Sequence, residues 1–102
     1  SHVAMARTFC NVQEVDYMRS IGLARGGSME NAMVFGEDGL LSPEGFRCSD
    51  EVVKHKVLDC VGDMFLSGHR IRGALVARKS GHRLNNELLW KIFEDDENYT
   101  LE

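Results

Sequence analysis

Only one proline, Pro43, interrupts the chain, and no Gly/Ser-rich or low-complexity tract accompanies it, so nothing in the sequence marks an inter-domain linker. The three cysteines, Cys10, Cys48 and Cys60, are odd in number and widely spaced, with no CxxC pair. That excludes a recognisable disulfide framework or cysteine zinc site and favours a reducing, cytoplasmic setting. No apolar run approaches the ~20 residues of a transmembrane segment. The start, SHVAM, has neither the basic flank nor the apolar run of a signal peptide, and residues 1–5 are expected to be an expression remnant or a disordered start, with no role for His2. Positive charge is also short: 12 Lys and Arg face 16 Asp and Glu, for a net charge of −4. The basic residues are scattered, so neither nucleic acid nor an anionic membrane is an expected partner.

What is present fits one small domain of 102 residues, of a size that buries about 60% of its unfolded-chain surface. Thr8 and Phe9 favour a short strand over 6–10, and Val15, Met18 and Ile21 recur on one face of a helix over 13–21 that Gly22 stops. Gly26-Gly27-Ser28 reads as a tight turn or an anion-accepting loop, 31–35 as a second strand, and Glu37-Asp38-Gly39 as a reversal into Leu40-Leu41. The main helix is expected over 50–67, with Ser49 as N-cap, Glu51 in its first turn and Gly68 at its stop. Val53, Val57, Val61 and Met64 would give it an apolar side able to pack on a sheet. Residues 71–77 make the best further strand and 84–93 a last helix, after which the acidic tail should fray. This order predicts an α+β fold, a two-layer sandwich of a small mixed sheet and helices with a β-α-β type insert near the N-terminus.

The chemistry concentrates in residues 53–63, VKHKVLDCVGD, where His55, Asp59 and Asp63 recur every four residues. At about 100° per residue, each such step rotates only ~40° further, so all three fall on one helical stripe. An imidazole one turn from a carboxylate can hold a metal, although from spacing alone a surface ion pair beside Lys54 and Lys56 is the commoner outcome. A catalytic zinc usually takes three protein ligands and a water, and spacing supplies two. His69 and His82 each remain open as a third, and His82, expected on a Gly-containing loop after the 71–77 strand, is equally placed as a proton donor.

Four blocks, ARTF at 6–9, GLARGGSMENAMV at 22–34, KHKVLDCVGD at 54–63 and KSGHRLNNELL at 79–89, together resemble the C-terminal half of the UDP-3-O-acyl-N-acetylglucosamine deacetylases, zinc amidases of lipid A biosynthesis. They lie in that family's order and spacing and cover most of the chain. The resemblance implies that residues 6–102 are the C-terminal domain of a two-domain enzyme, with about 10–36 as an insert forming a hydrophobic passage for the substrate's acyl chain. It implies that His55 and Asp59 are zinc ligands, that His82 stabilises the oxyanion and protonates the leaving amine, that Asp63 pairs with His82, and that Thr8 hydrogen-bonds the oxyanion. Lys56 resembles the lysine that contacts the UDP-linked acylated amino sugar near its diphosphate, and Phe9 and Lys79 join the substrate-binding set. Val15, Met18, Ala24, Gly27, Ser28, Ala32 and Val34 fall in the acyl-passage insert.

Two departures stand out. The family usually follows TF with glycine and an aromatic, where this chain has Cys10 and Asn11, and Arg83 replaces a usual small residue. The family's third zinc ligand and its general-base glutamate belong to a first half whose blocks do not occur in these 102 residues. The chain is therefore expected to need that N-terminal half as a partner and to be inactive alone. The alternative is a non-catalytic acyl-chain or metal-binding module.

Overall fold

A computed structural model describes residues 3–102; Ser1 and His2, and with them part of the expected expression remnant, lie outside the described residues. The chain is α+β, its described residues forming a three-stranded mixed sheet and three α-helices. It divides into two compact units, one ending at His55 and the other beginning at Lys56. The division falls inside the long helix.

The first unit opens with β1 (Thr8–Asn11), α1 (Val12–Ser20) and β2 (Ala32–Gly36). β1 pairs in parallel with β2, Thr8 opposite Ala32 and Phe9 opposite Met33, so the expected β-α-β element is present. α1 begins where the Glu14 carboxylate accepts the Asn11 backbone N–H at 2.9 Å, satisfying one of the donors a helix start leaves open. It ends in a Schellman turn: Leu23 N–H donates to Met18 O at 2.8 Å and Gly22 N–H to Arg19 O at 3.1 Å. Gly22 has φ +82°, a left-handed conformation that a side chain resists.

β2 is the central strand, since β3 (Gly39–Leu40) pairs antiparallel with its other edge. Beyond β3 the chain keeps contact with that edge, Leu41 N–H donating to Val34 O at 2.8 Å. The buried Ser42 hydroxyl accepts from Val34 N–H and donates to Ala32 O, both at 3.3 Å. Successive strand residues face opposite sides, yet Ala32, Met33 and Val34 are all buried and Met33 is 0% exposed. β2 is covered on both faces, which is why it reads as an apolar run rather than an alternation.

α2 (Glu51–Met64) passes into a 3-10 turn at Phe65–Ser67, close to the expected 50–67, and Gly68 closes it with φ +75°. The expected packing of its valines on a sheet is not found: Val53, Val57 and Val61 are 64%, 45% and 49% exposed.

The second unit departs from expectation at its centre. Residues 71–77 form no strand; Val76 is 95% exposed and no other described segment supplies the hydrogen-bonded partner that a strand requires. β propensity without a ladder leaves an irregular segment. α3 (His82–Phe93) begins two residues before the expected 84, with Gly81 as N-cap, so His82 sits in a helical first turn rather than on a loop. The tail does not simply fray: the Asp95 side chain accepts Glu97 N–H at 2.9 Å to cap a 3-10 turn, and Tyr99 lies against Phe93 at 5.0 Å between ring centroids.

Candidate active site

In the second unit, α2 and α3 bring together Asp63 and His82, which lie 19 residues apart in sequence. His82 Nδ1 is 2.7 Å from Asp63 Oδ2, and the Asp63 side chain is 13% exposed against 68% for His82. A half-sunken carboxylate thus holds an imidazole whose outer edge faces solvent. Asn85, one turn beyond His82 and buried, donates from Nδ2 to the same Asp63 oxygen at 2.8 Å. The buried Cys60 thiol lies 3.7 Å from Asn85 Oδ1 and 3.8 Å from Ser80 Oγ. A thiol donor facing Oδ1 orients the amide so that Nδ2 faces Asp63.

The electrostatics follow from this arrangement. Burial pushes the Asp63 carboxyl up, but hydrogen bonds from Asn85 and His82 outweigh it and hold the group below its ordinary value. The His82 imidazole is raised, first by its hydrogen bond to Asp63 and then by the charges of Asp63 and Asp59, against burial and Lys56. His82 is therefore biased toward the imidazolium, with Nδ1–H donated to Asp63 and Nε2–H available as an acid. The expected outcome of Asp63→Asn is a fall in the His82 titration midpoint toward the ordinary ~6.5, read from ring proton shifts by NMR; an unchanged midpoint would remove Asp63 as its cause. Because the folded-state value is raised, this contact favours folding below the ordinary value, and the contribution fades as pH rises through the folded-state midpoint.

Lys56 donates from Nζ to Ser80 O at 2.9 Å, using one of its ammonium's three donors to hold the turn that precedes His82. Lys79, the residue before Ser80, has φ +49°, a strained left-handed conformation for a non-glycine residue. His69, one candidate third metal ligand, stacks on Phe93 with centroids 6.1 Å apart. An open hollow of about 550 Å³ along α3, lined by Leu84, Glu87, Leu88, Trp90, Lys91 and Glu94, contains none of the predicted site residues.

In the first unit, Thr8 is exposed at the start of β1, and Phe9 meets the His55 ring edge-on, centroids 6.2 Å apart at 83°. His55 Nδ1 lies 3.1 Å from Ala6 O. A carbonyl oxygen only accepts, so Nδ1 carries the proton and the neutral ring's lone pair lies on Nε2, the form in which metal-ligating histidines are usually held. That geometry fits a metal on His55, and Asp59 follows it one helical turn along α2. Among the described residues there is no group of three or more His, Cys, Asp or Glu able to hold a metal ion. Of the expected acyl-passage residues, Ala32 and Val34 are buried in β2, Val15, Met18 and Ala24 are half-buried, and Gly27 and Ser28 are exposed.

Sequence reasoning missed the most buried charge. Glu51, expected only as a first-turn acid, is 0% exposed and is paired with Arg7, itself 4% exposed. Its Oε1 accepts Arg7 Nε at 2.8 Å and Arg7 N–H at 3.1 Å, while Oε2 accepts Arg47 N–H at 2.8 Å and Arg7 Nη2 at 3.1 Å. Arg7 Nη2 also donates to Gly45 O at 2.7 Å. Arg7 Nη1, buried, makes no hydrogen bond among the described residues, and the Glu44 carboxylate is 3.7 Å from it. Glu51 continues the four-residue repeat of His55, Asp59 and Asp63 one turn toward the helix start, but that spacing does not name Arg7 as its partner. Asn85 is likewise three residues from His82 and shares its helical face.

Comparison with known proteins agrees with the resemblance. A family model described as UDP-3-O-acyl N-acetylglycosamine deacetylase matches residues 1–94. The UDP-3-O-acyl-N-acetylglucosamine deacetylase of Citrifermentans bemidjiense is 52% identical over 98 residues, covering 96% of this chain and 32% of the relative. That of Pseudoalteromonas translucida is 54% identical over 90 residues, 88% of this chain and 30% of the relative. That of Chromobacterium violaceum is 48% identical over 95 residues, 93% of this chain and 31% of the relative. The chain spans about a third of the length of these curated relatives. With a match that runs through ARTF, the HKVLD helix and the KSGH turn alike, the chain belongs to the UDP-3-O-acyl N-acetylglycosamine deacetylase family.

Proposed function

We propose that the chain is the C-terminal part of a cytoplasmic zinc-dependent deacetylase that hydrolyses the acetamide of UDP-3-O-acyl-N-acetylglucosamine in lipid A biosynthesis. The observation that carries this reading is the His82–Asp63 contact of 2.7 Å, which favours the protonated imidazole, in a chain whose relatives are named as deacetylases. His55 and Asp59 would hold the zinc, which when bound supplies Lewis acidity toward the acetamide carbonyl and its attacking water. The third ligand and the general base come from outside these 102 residues, from the N-terminal half of the same enzyme.

The chain's own groups act on the proton and the charge. As water adds to the carbonyl carbon, negative charge gathers on the carbonyl oxygen, and the His82 imidazolium and Thr8 hydroxyl stabilise it. When the C–N bond breaks, its electron pair stays on nitrogen and His82 Nε2–H protonates the departing amine. Asp63 keeps the imidazole oriented throughout and stabilises its positive form. Lys56, Lys79 and Phe9 contact the nucleotide-sugar, and the 10–36 insert takes the acyl chain.

The test is acetate release by the purified 102-residue chain supplied with zinc and the UDP-linked substrate. None is expected, and measurable turnover, free of contaminating full-length enzyme, would overturn the division of the site. Zinc titration should show weak binding that His55→Ala and Asp59→Ala each abolish. Tight binding that survives His55→Ala would remove the assigned ligands.

A further inference from the structure

We propose that the buried Arg7–Glu51 pair is a positioning device for His55, fixing which ring nitrogen carries the proton. The inference rests on the zinc-ligand reading of His55, and its mechanism is local to the first unit.

One peptide group joins the two sides. The Ala6 carbonyl and the Arg7 N–H belong to the same peptide plane, which is trans and rigid. Its carbonyl edge faces His55 Nδ1 at 3.1 Å and its N–H edge donates to Glu51 Oε1 at 3.1 Å. Two side chains one turn apart on α2 therefore hold opposite edges of a single plane. Rotating that plane to lose one contact loses the other.

The Glu51 end of this clamp is the stiffer. A carboxylate offers about four acceptor positions, and Glu51 fills them with Arg7 N, Arg7 Nε, Arg7 Nη2 and Arg47 N. Arg47 Nη1 further holds Met5 O at 3.0 Å, bracing the preceding peptide. Hydrogen bonds from Arg7, assisted by backbone donors and the guanidinium charge, keep the carboxyl ionised down to a pKa of about 2 despite its burial. His55 contributes one weaker contact to the plane, so Glu51 sets the plane and the plane sets His55. With Nδ1–H committed to Ala6 O, the Nε2 lone pair is the one a metal would meet. Thr8, the next residue along β1, inherits its starting position from the same clamp.

The test reads the ring directly, without metal or turnover. In the metal-free 102-residue chain carrying 15N-labelled histidine, long-range 1H–15N correlation at mildly alkaline pH should find the His55 proton on Nδ1. Glu51→Gln should shift the tautomer ratio severalfold toward Nε2–H, the form a histidine side chain favours in water. Arg7→Lys, which keeps the charge but loses the fork, should shift it less and serves where Glu51→Gln does not fold. A wild-type ring protonated on Nε2 overturns the proposal, as does an unchanged ratio in the folded variants. Zinc titration of the same samples separates the two readings: a tautomer shift together with weak zinc binding that His55→Ala leaves unchanged keeps the clamp standing and removes His55 as a ligand.

Discussion

Glu51→Gln is expected to cost the fold about 3–5 kcal/mol, the range for breaking a buried ion pair by removing one partner, measured as a lowered urea midpoint. The reason is the environment of what remains. Arg7 is 4% exposed, and without the carboxylate its guanidinium stays buried with Gly45 O as its main acceptor. Glutamine can accept at one oxygen but must turn an NH2 group toward Arg7 or Arg47 donors at the other. On a domain whose whole stability is of order 5–15 kcal/mol, such a loss is large. Replacing both partners by apolar residues, Arg7→Met with Glu51→Leu, should lose less than the single change, because no charge is then stranded. A single variant as stable as the wild type would show that the pair contributes nothing.

The same pair sets an acid limit. Glu51 is lowered from 4.5 to about 2, chiefly by the hydrogen bond from Arg7, which corresponds to about 3 kcal/mol of stability. With the folded-state value depressed, that contribution is complete above the ordinary carboxylate range and is lost as pH falls through about 2. The difference between wild type and Glu51→Gln should therefore be largest near neutral pH and shrink in acid.

Met33→Ala is expected to cost about 2–5 kcal/mol, the usual range for truncating a buried methionine to alanine, with the thermal midpoint as a second readout. Met33 is 0% exposed, the second residue of the central strand and opposite Phe9 in register. Its side chain lies on the face of β2 opposite Ala32 and Val34. Truncation leaves a void on a face that β1, β2 and β3 together cannot close, since the strands are held in register by their own ladders. A cost below about 1 kcal/mol would mean that the site collapses around alanine, and that this face is less tightly packed than its burial indicates.

These two sites show how unevenly the sequence spoke. Met33 sat inside a predicted strand, and its flanking residues, Ala32 and Val34, drew attention because an acyl passage and a packed strand use the same residue types. Glu51 sat at a helix start, where an acidic residue usually complements the helix dipole in solvent. Its burial depends on Arg7, 44 residues earlier, and no local pattern encodes a partner at that distance. The 71–77 run failed in the opposite sense. Its β-branched and apolar residues signalled a strand, but a strand exists only where a second chain segment offers a ladder.

By itself the sequence determined the periodic features. The helix over 50–67, the Gly22 and Gly68 stops, the strand–helix–strand order near the N-terminus and the His55–Asp59–Asp63 stripe all follow from spacings of two, four or one residue, set by local backbone geometry. The motif order also carried the family. The tertiary structure decided which polar groups on that stripe meet a partner: Asp63 with His82 and Asn85, His55 with the Ala6 carbonyl, and Glu51 with Arg7. Each of those pairings joins residues at least 19 positions apart, and a hydrogen bond's worth depends on burial and angle, quantities that exist only once the chain has closed on itself.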